Sequence, residues 1–210
     1  MKIAGIDEAG KGPVLGPLVV GIFCCDNKKL RDLEKIGVKD SKKLSFNRRM
    51  EIYSKIKKLG HAETIKVHAE ELDKLMECKT INDILKDCYT HLIKKVDADI
   101  YILDSPDVIP ERMANELKKL TKKEVKAFHK ADEKCKVVAA ASIVAKVERD
   151  MEIERIKKSI GDFGSGYASD KKTIEFLRDY LNKHGKFPPH TRMKWKTTSN
   201  LMQKDLKDFI

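Results

Sequence analysis

The sequence predicts an α/β fold: a five-stranded mixed sheet flanked by helices, with a helical appendage over the last forty residues. Three observations carry this. Strand-like and helix-like runs alternate along most of the chain. The first two strand-like runs are joined by a link too short for a parallel crossover, which makes them antiparallel neighbours. Beyond residue 168 only helical spacing remains, interrupted by Gly185 and by Pro188 and Pro189. The division is therefore 1–168 for the main body and 169–210 for the appendage.

In order, residues 2–8 form an apolar strand that ends in two acids, Asp7 and Glu8. Residues 17–25 (PLVVGIFCC) are strongly β-prone, and the intervening 9–16 holds three glycines and a proline. Residues 30–36 and 46–59 have helical spacing, with Ser45 as N-cap of the second. Residues 62–68 alternate as a third strand. Residues 69–76 and 81–96 are amphipathic helices separated at Lys79 and Thr80. Residues 99–103 (DIYIL) are a fourth strand running straight into Asp104. A helix over 111–120 and a short fifth strand over 124–128 follow. One long helix is predicted over 133–158, starting just after Asp132 and rich in alanine. Residues 161–166 break the pattern, 171–182 resume it, and a last helix covers 201–209.

The charge balance narrows the partners. Of 44 basic residues 36 are lysine, against 33 acids, and the net charge of +11 raises the expectation of a polyanion. A solvated lysine-rich surface is the plainer reading. Five cysteines, an odd number with no CxxC spacing, argue against a disulfide framework or a zinc site and for buried free thiols in a reducing cytosol. The first residues turn acidic too early for a signal peptide, and no apolar run reaches the ~20 residues that span a bilayer. These features predict a cytoplasmic protein without membrane contact.

Acids recur where a sheet presents its edge: Asp7 and Glu8 end the first strand, Asp104 ends the fourth, and Asp132 follows the fifth. Ligands of α/β sheets gather where strand ends meet loops. Oxygen donors with no Cys or His among them suit Mg²⁺ or Mn²⁺. Each acid has a structural alternative. Asp132 could cap the helix after it, and Asp104, before Ser105 and Pro106, could be a turn former. Asp7 continues an apolar run, and a carboxylate buried there needs a partner or a metal. Directly after these acids, Gly10 and Gly12 allow a backbone to approach a ligand closely.

The segment Asp7-Glu8-Ala9-Gly10-Lys11-Gly12-Pro13 resembles the signature of the ribonuclease HII family, archaeal type, with Lys11 where an arginine is usual. The resemblance extends to residues 40–45 (DSKKLS), Asp104, Asp132, residues 141–150 (ASIVAKVERD) and residues 164–170 (GSGYASD). It implies a ribonuclease H-like fold in which Asp7, Glu8, Asp104 and Asp132 hold two ions, Mg²⁺ or Mn²⁺. It implies that the Gly10, Lys11 and Gly12 backbone and the Tyr167 hydroxyl read a ribose 2′-OH, with Lys42 and Lys146 as phosphate contacts. Lys11 cannot fork bidentately on a phosphate as arginine does. Two such ions activate a water and stabilise the leaving 3′-oxygen.

The implied activity is an endonuclease cutting the RNA of RNA–DNA hybrids and cutting 5′ of ribonucleotides embedded in duplex DNA, leaving 3′-hydroxyl and 5′-phosphate ends. Two alternatives are a non-catalytic nucleic-acid-binding module and a DNA-directed nuclease of the same fold. Trp195 could stack on a base or pack the appendage. The chain is expected to be monomeric, and residues 206–210 hint at a sliding-clamp contact.

Overall fold

The computed structural model describes residues 1–38 and 45–207, with side chains to 203. Lys42, with most of the DSKKLS motif, and residues 208–210 lie outside the described residues. The chain forms two compact units: Met1–Ala9, Val19–Lys66 and Thr80–Glu148 in the first, Gly10–Leu18, Val67–Lys79 and Arg149–Ile210 in the second.

The first unit carries a five-stranded sheet of order β3-β2-β1-β4-β5. Its strands are β1 (Lys2–Ala9), β2 (Leu18–Asp26), β3 (His61–Val67), β4 (Ile100–Asp104) and β5 (Val125–Phe128). β2 is antiparallel to β1, as the short link requires, whereas β4 runs parallel to β1 and β5 parallel to β4. Strands β1 and β2 are buried almost throughout, which is why they read as continuous apolar runs.

Helices α1 (Leu30–Lys35), α2 (Phe46–Leu59), α4 (Ile81–Lys95) and α5 (Pro110–Thr121) belong to this unit, and α3 (Ala69–Leu75) to the second. Ser45 caps α2 by accepting from the Arg48 amide at 3.3 Å. Thr80 and Asp83 close a capping box on α4.

The long helix predicted over 133–158 is two helices. A single turn, α6 (Ala131–Lys134), is separated from α7 (Lys136–Ile160) by Cys135, whose φ of −114° and ψ of 119° are extended. The cap position of α6 is Lys130, left-handed at φ 53°, so Asp132 lies inside a turn and does not cap the long helix. Helix α7 crosses the sheet where β1 and β2 carry glycine. A Cβ on Gly5 would sit 2.2 Å from the Val137 backbone, and one on Gly21 would sit 2.9 Å from the Ala141 carbonyl.

In the second unit Val14, Leu15, Ile153, Ile156, Phe163, Leu177, Phe187 and Leu201 form one core, with Trp195 packed against it. Helices α8 (Lys171–His184) and α9 (Lys196–Lys207) supply part of it. Helix α9 begins five residues before the predicted start: the Thr198 hydroxyl donates to the Arg192 carbonyl at 2.9 Å, fixing a threonine-rich first turn of weak helix propensity. No disulfide forms. Cys24, Cys25 and Cys88 are buried as expected, but Cys78 is exposed and Cys135 half-buried.

Candidate active site

The parallel register pairs Ile6 with Leu103, so the next residues, Asp7 and Asp104, stand side by side on adjacent strands, Asp104 as the last residue of β4 and Asp7 two residues before the end of β1. Asp132 arrives from the other flank through α6. The Ala131 amide donates to Asp104 Oδ1 at 3.0 Å, tying that turn to the end of β4. One carboxylate oxygen from each of Asp7, Asp104 and Asp132 lies within 4.8 Å of the other two. Asp7 and Asp132 are 6% and 7% exposed, which sets them apart from a surface acid patch.

Burial, then the charges of Glu8 and Asp104, push the Asp7 carboxyl from 3.8 up to about 8. The Ser142 hydroxyl on α7 and the Glu8 amide, which donates to Asp7 Oδ1 at 2.8 Å, pull the other way without offsetting it. Close-set buried carboxylates repel unless a proton or a cation intervenes. An all-oxygen donor set at this spacing suits a hard divalent cation, so the residues fit the metal that the sequence implies.

Glu8 is fixed differently. The Tyr89 hydroxyl on α4 donates to Glu8 Oε2 at 2.7 Å. Burial, followed by the charge of Glu8, raises the Tyr89 phenol well above its usual range, so it keeps its proton and remains a donor. Sequence reasoning missed Tyr89 because on the apolar face of α4 it reads as core. Lys146 is half-buried on α7, one turn beyond Ser142 and on the same helix face.

The glycine segment and Tyr167 belong to the second unit. Gly10 is buried at φ 83°, and a Cβ there would meet the Pro17 carbonyl at 2.5 Å and Arg149 Nε at 2.6 Å. Gly12 is exposed, and a Cβ there would meet only Tyr167 Cε1, at an ordinary 3.9 Å. Tyr167 is 39% exposed with the Arg149 guanidinium 5.2 Å from its ring centroid, which excludes a core tyrosine. The loop before it is held tightly: the Ser165 amide and hydroxyl donate to Asp170, and the Gly166 amide donates to Thr173 Oγ1 at 3.0 Å.

Arg192, also missed, is fully buried. Its Nε donates to the Gly16 carbonyl at 2.9 Å, Nη1 to that of Lys11 at 3.2 Å and Nη2 to that of Gly10 at 2.7 Å. Trp195 packs as the appendage reading has it. Its ring lies 4.8 Å from the Arg192 guanidinium, and its Nε1 donates to the Gly12 carbonyl at 3.2 Å.

A ribonuclease H-like sheet with clustered carboxylates on adjacent strands defines a metal-dependent hydrolase of nucleic acids. The family profile described as Ribonuclease HII matches residues 4–198. Ribonuclease HII of Archaeoglobus fulgidus is 56% identical over 207 residues, 98% of this chain and 99% of its own. The solved PCNA:RNase HII complex from the same organism superposes with a TM-score of 0.92 at 55% identity, covering 99% of this chain and all of that one. Ribonuclease H2 of Pyrococcus horikoshii gives the same TM-score at 40% identity, with 99% and 100% coverage.

The chain belongs to the ribonuclease HII family. It is accordingly a metal-dependent endoribonuclease acting on RNA–DNA substrates. No described helix is long and apolar enough to cross a membrane.

Proposed function

We propose that this enzyme cuts on the 5′ side of ribonucleotides, both in the RNA strand of hybrids and singly embedded in duplex DNA, leaving 3′-hydroxyl and 5′-phosphate ends. The observation that carries the reading is the triad of Asp7, Asp104 and Asp132, with Asp7 and Asp132 buried and Asp104 half-buried. Those three and Glu8 are assigned as ligands for two ions, Mg²⁺ or Mn²⁺. Bound there, the ions would activate a water and stabilise the leaving 3′-oxygen. The chain's own part is to hold these acids in place: Tyr89 orients Glu8, and the Ala131 amide orients Asp104.

The Gly10, Lys11 and Gly12 backbone and the Tyr167 hydroxyl are assigned to the 2′-OH, the group that separates RNA from DNA. An exposed glycine with no internal steric need at position 12, and a half-exposed tyrosine, support that assignment. Lys146, and Lys42 outside the described residues, are assigned to phosphates. The A. fulgidus relative was solved with PCNA, which supports a sliding-clamp contact by residues 206–210 of a monomeric, cytoplasmic enzyme.

The test is a DNA duplex carrying one ribonucleotide, incubated with Mg²⁺, with Mn²⁺ and with excess EDTA. A single cut 5′ of the ribonucleotide is expected with either ion and none with chelator. Hydrolysis that survives EDTA, or a metal-dependent cut confined to continuous hybrids, overturns the corresponding half of the proposal.

A further inference from the structure

The glycine segment's carbonyls all face one way. Those of Gly10 and Lys11 accept from Arg192, and that of Gly12 accepts from Trp195. None of the described peptides is cis, and in a trans peptide the N–H points opposite to the C=O. The amides of Lys11 and Gly12 are therefore turned away from Arg192. The next residue, Pro13, has no N–H, so these two amides are the ones that the arrangement turns away from the buried guanidinium.

We propose that Arg192 is a positioning residue for this loop, with Trp195 as its second clamp: it sets the direction of the two amides that read the ribose. The inference rests on the proposed role of the loop in substrate recognition. Three features separate Arg192 from an ordinary buried arginine. Its acceptors are three carbonyls, two of them successive residues of the recognition segment. Only a planar fork with separate donors on Nε, Nη1 and Nη2 satisfies all three at once, and a lysine ammonium is a single point.

The third feature is its electrostatic setting. Arg192 is fully buried and feels the charge of Arg149, itself 6% exposed, so two buried cations lie close together beside the loop. Desolvation and Arg149 both press the Arg192 guanidinium toward losing its charge, Tyr167 and Asp73 oppose them, and the three carbonyls satisfy its donors. The charges polarise each bound carbonyl. They thereby make the amide on the far side of the same peptide a stronger donor.

The experiment uses the full chain as wild type, R192K and W195F. Two readouts are needed: the ¹⁵N–¹H resonances of the Lys11 and Gly12 amides without substrate, and KM and kcat on a duplex with one ribonucleotide. W195F keeps the ring against the guanidinium and loses one hydrogen bond, so it is expected to melt close to wild type. Both variants should shift the two amide resonances. R192K should raise KM roughly tenfold and W195F severalfold, because small misplacements of binding groups are costly. Unmoved resonances in both variants overturn the proposal. So does a lower melting temperature with wild-type KM, which is the signature of a purely structural arginine. Failure of the underlying reading looks different: the resonances move as expected, but wild type itself shows no preference for ribose over deoxyribose at the cut.

Discussion

At the scale of single residues, Asp132 and Gly12 separate function from folding most sharply. Asp132→Asn keeps the size of the side chain and the helical turn but removes a charge from the triad. A loss of at least about a hundredfold in kcat is expected, of the order seen when one electrostatic stabiliser is removed. Circular dichroism and kcat on one preparation decide it, and near-wild-type turnover would return Asp132 to structure. Gly12→Ala has room for its Cβ, whereas Gly10→Ala does not. Gly12→Ala should therefore melt like wild type and lose ribose-dependent cleavage, while Gly10→Ala should lose the fold as well. A fully active Gly12→Ala would remove the loop from recognition. Asp7 and Asp104 were legible in the sequence because an acid at the end of an apolar run is a local pattern, and Asp132 because it follows the fifth strand within the family resemblance. Arg192 and Tyr89 were not. One is a basic residue among 44, the other an aromatic on an apolar helix face, and only contacts across 80 or more residues give them their roles.

At the scale of elements, the strand sequence was legible and the start of α7 was not. Continuous apolar, β-prone runs and a short link specify β1 and β2, and each boundary came within two residues. The break at Cys135 leaves no local trace, since residues 131–140 all tolerate a helix, and it sets the turn of Asp132 apart from α7, with the Ala131 amide bound to Asp104. Helix α7 is held against the sheet by close approach to Gly5 and Gly21. A methyl group on Gly21 would meet the Ala145 amide at 3.1 Å as well as the Ala141 carbonyl. Gly21→Ala is accordingly expected to cost about 1–3 kcal/mol by overpacking. That corresponds to roughly 2–12 °C in melting temperature. Because α7 also carries Ser142 toward Asp7, kcat should fall in the same variant. Scanning calorimetry checks the first effect, and an unchanged Tm would mean that the helix can retreat at no cost.

At the scale of the whole molecule, the acid cluster makes stability depend on pH and on metal together. The Asp7 carboxyl ionises near 3.8 in the unfolded chain and near 8 in the folded one. Below pH 4 it is protonated in both states and costs nothing. Between pH 4 and 8 only the unfolded chain gives up the proton, so the metal-free protein loses roughly 1 kcal/mol per pH unit as pH rises. A bound divalent cation takes the proton's place. Calorimetric titration with Mn²⁺ at pH 6.5, in buffers of different ionisation enthalpy, should report release of about one proton, and none at pH 9. Buffer-independent heats at pH 6.5 would contradict the burial of Asp7.

The sheet order also decides when this centre comes into being. β1 is the middle strand yet the first one synthesised, and its partner acids follow on β4 and α6. At about 5–20 residues per second, the ~125 residues from Asp7 to Asp132 take roughly 6–25 s to translate. For that interval the triad is incomplete: Asp7 has only Glu8 beside it until Asp104 is made, and Asp132 comes last of the three. The growing chain cannot assemble the triad until α6, beyond the last strand, has been made.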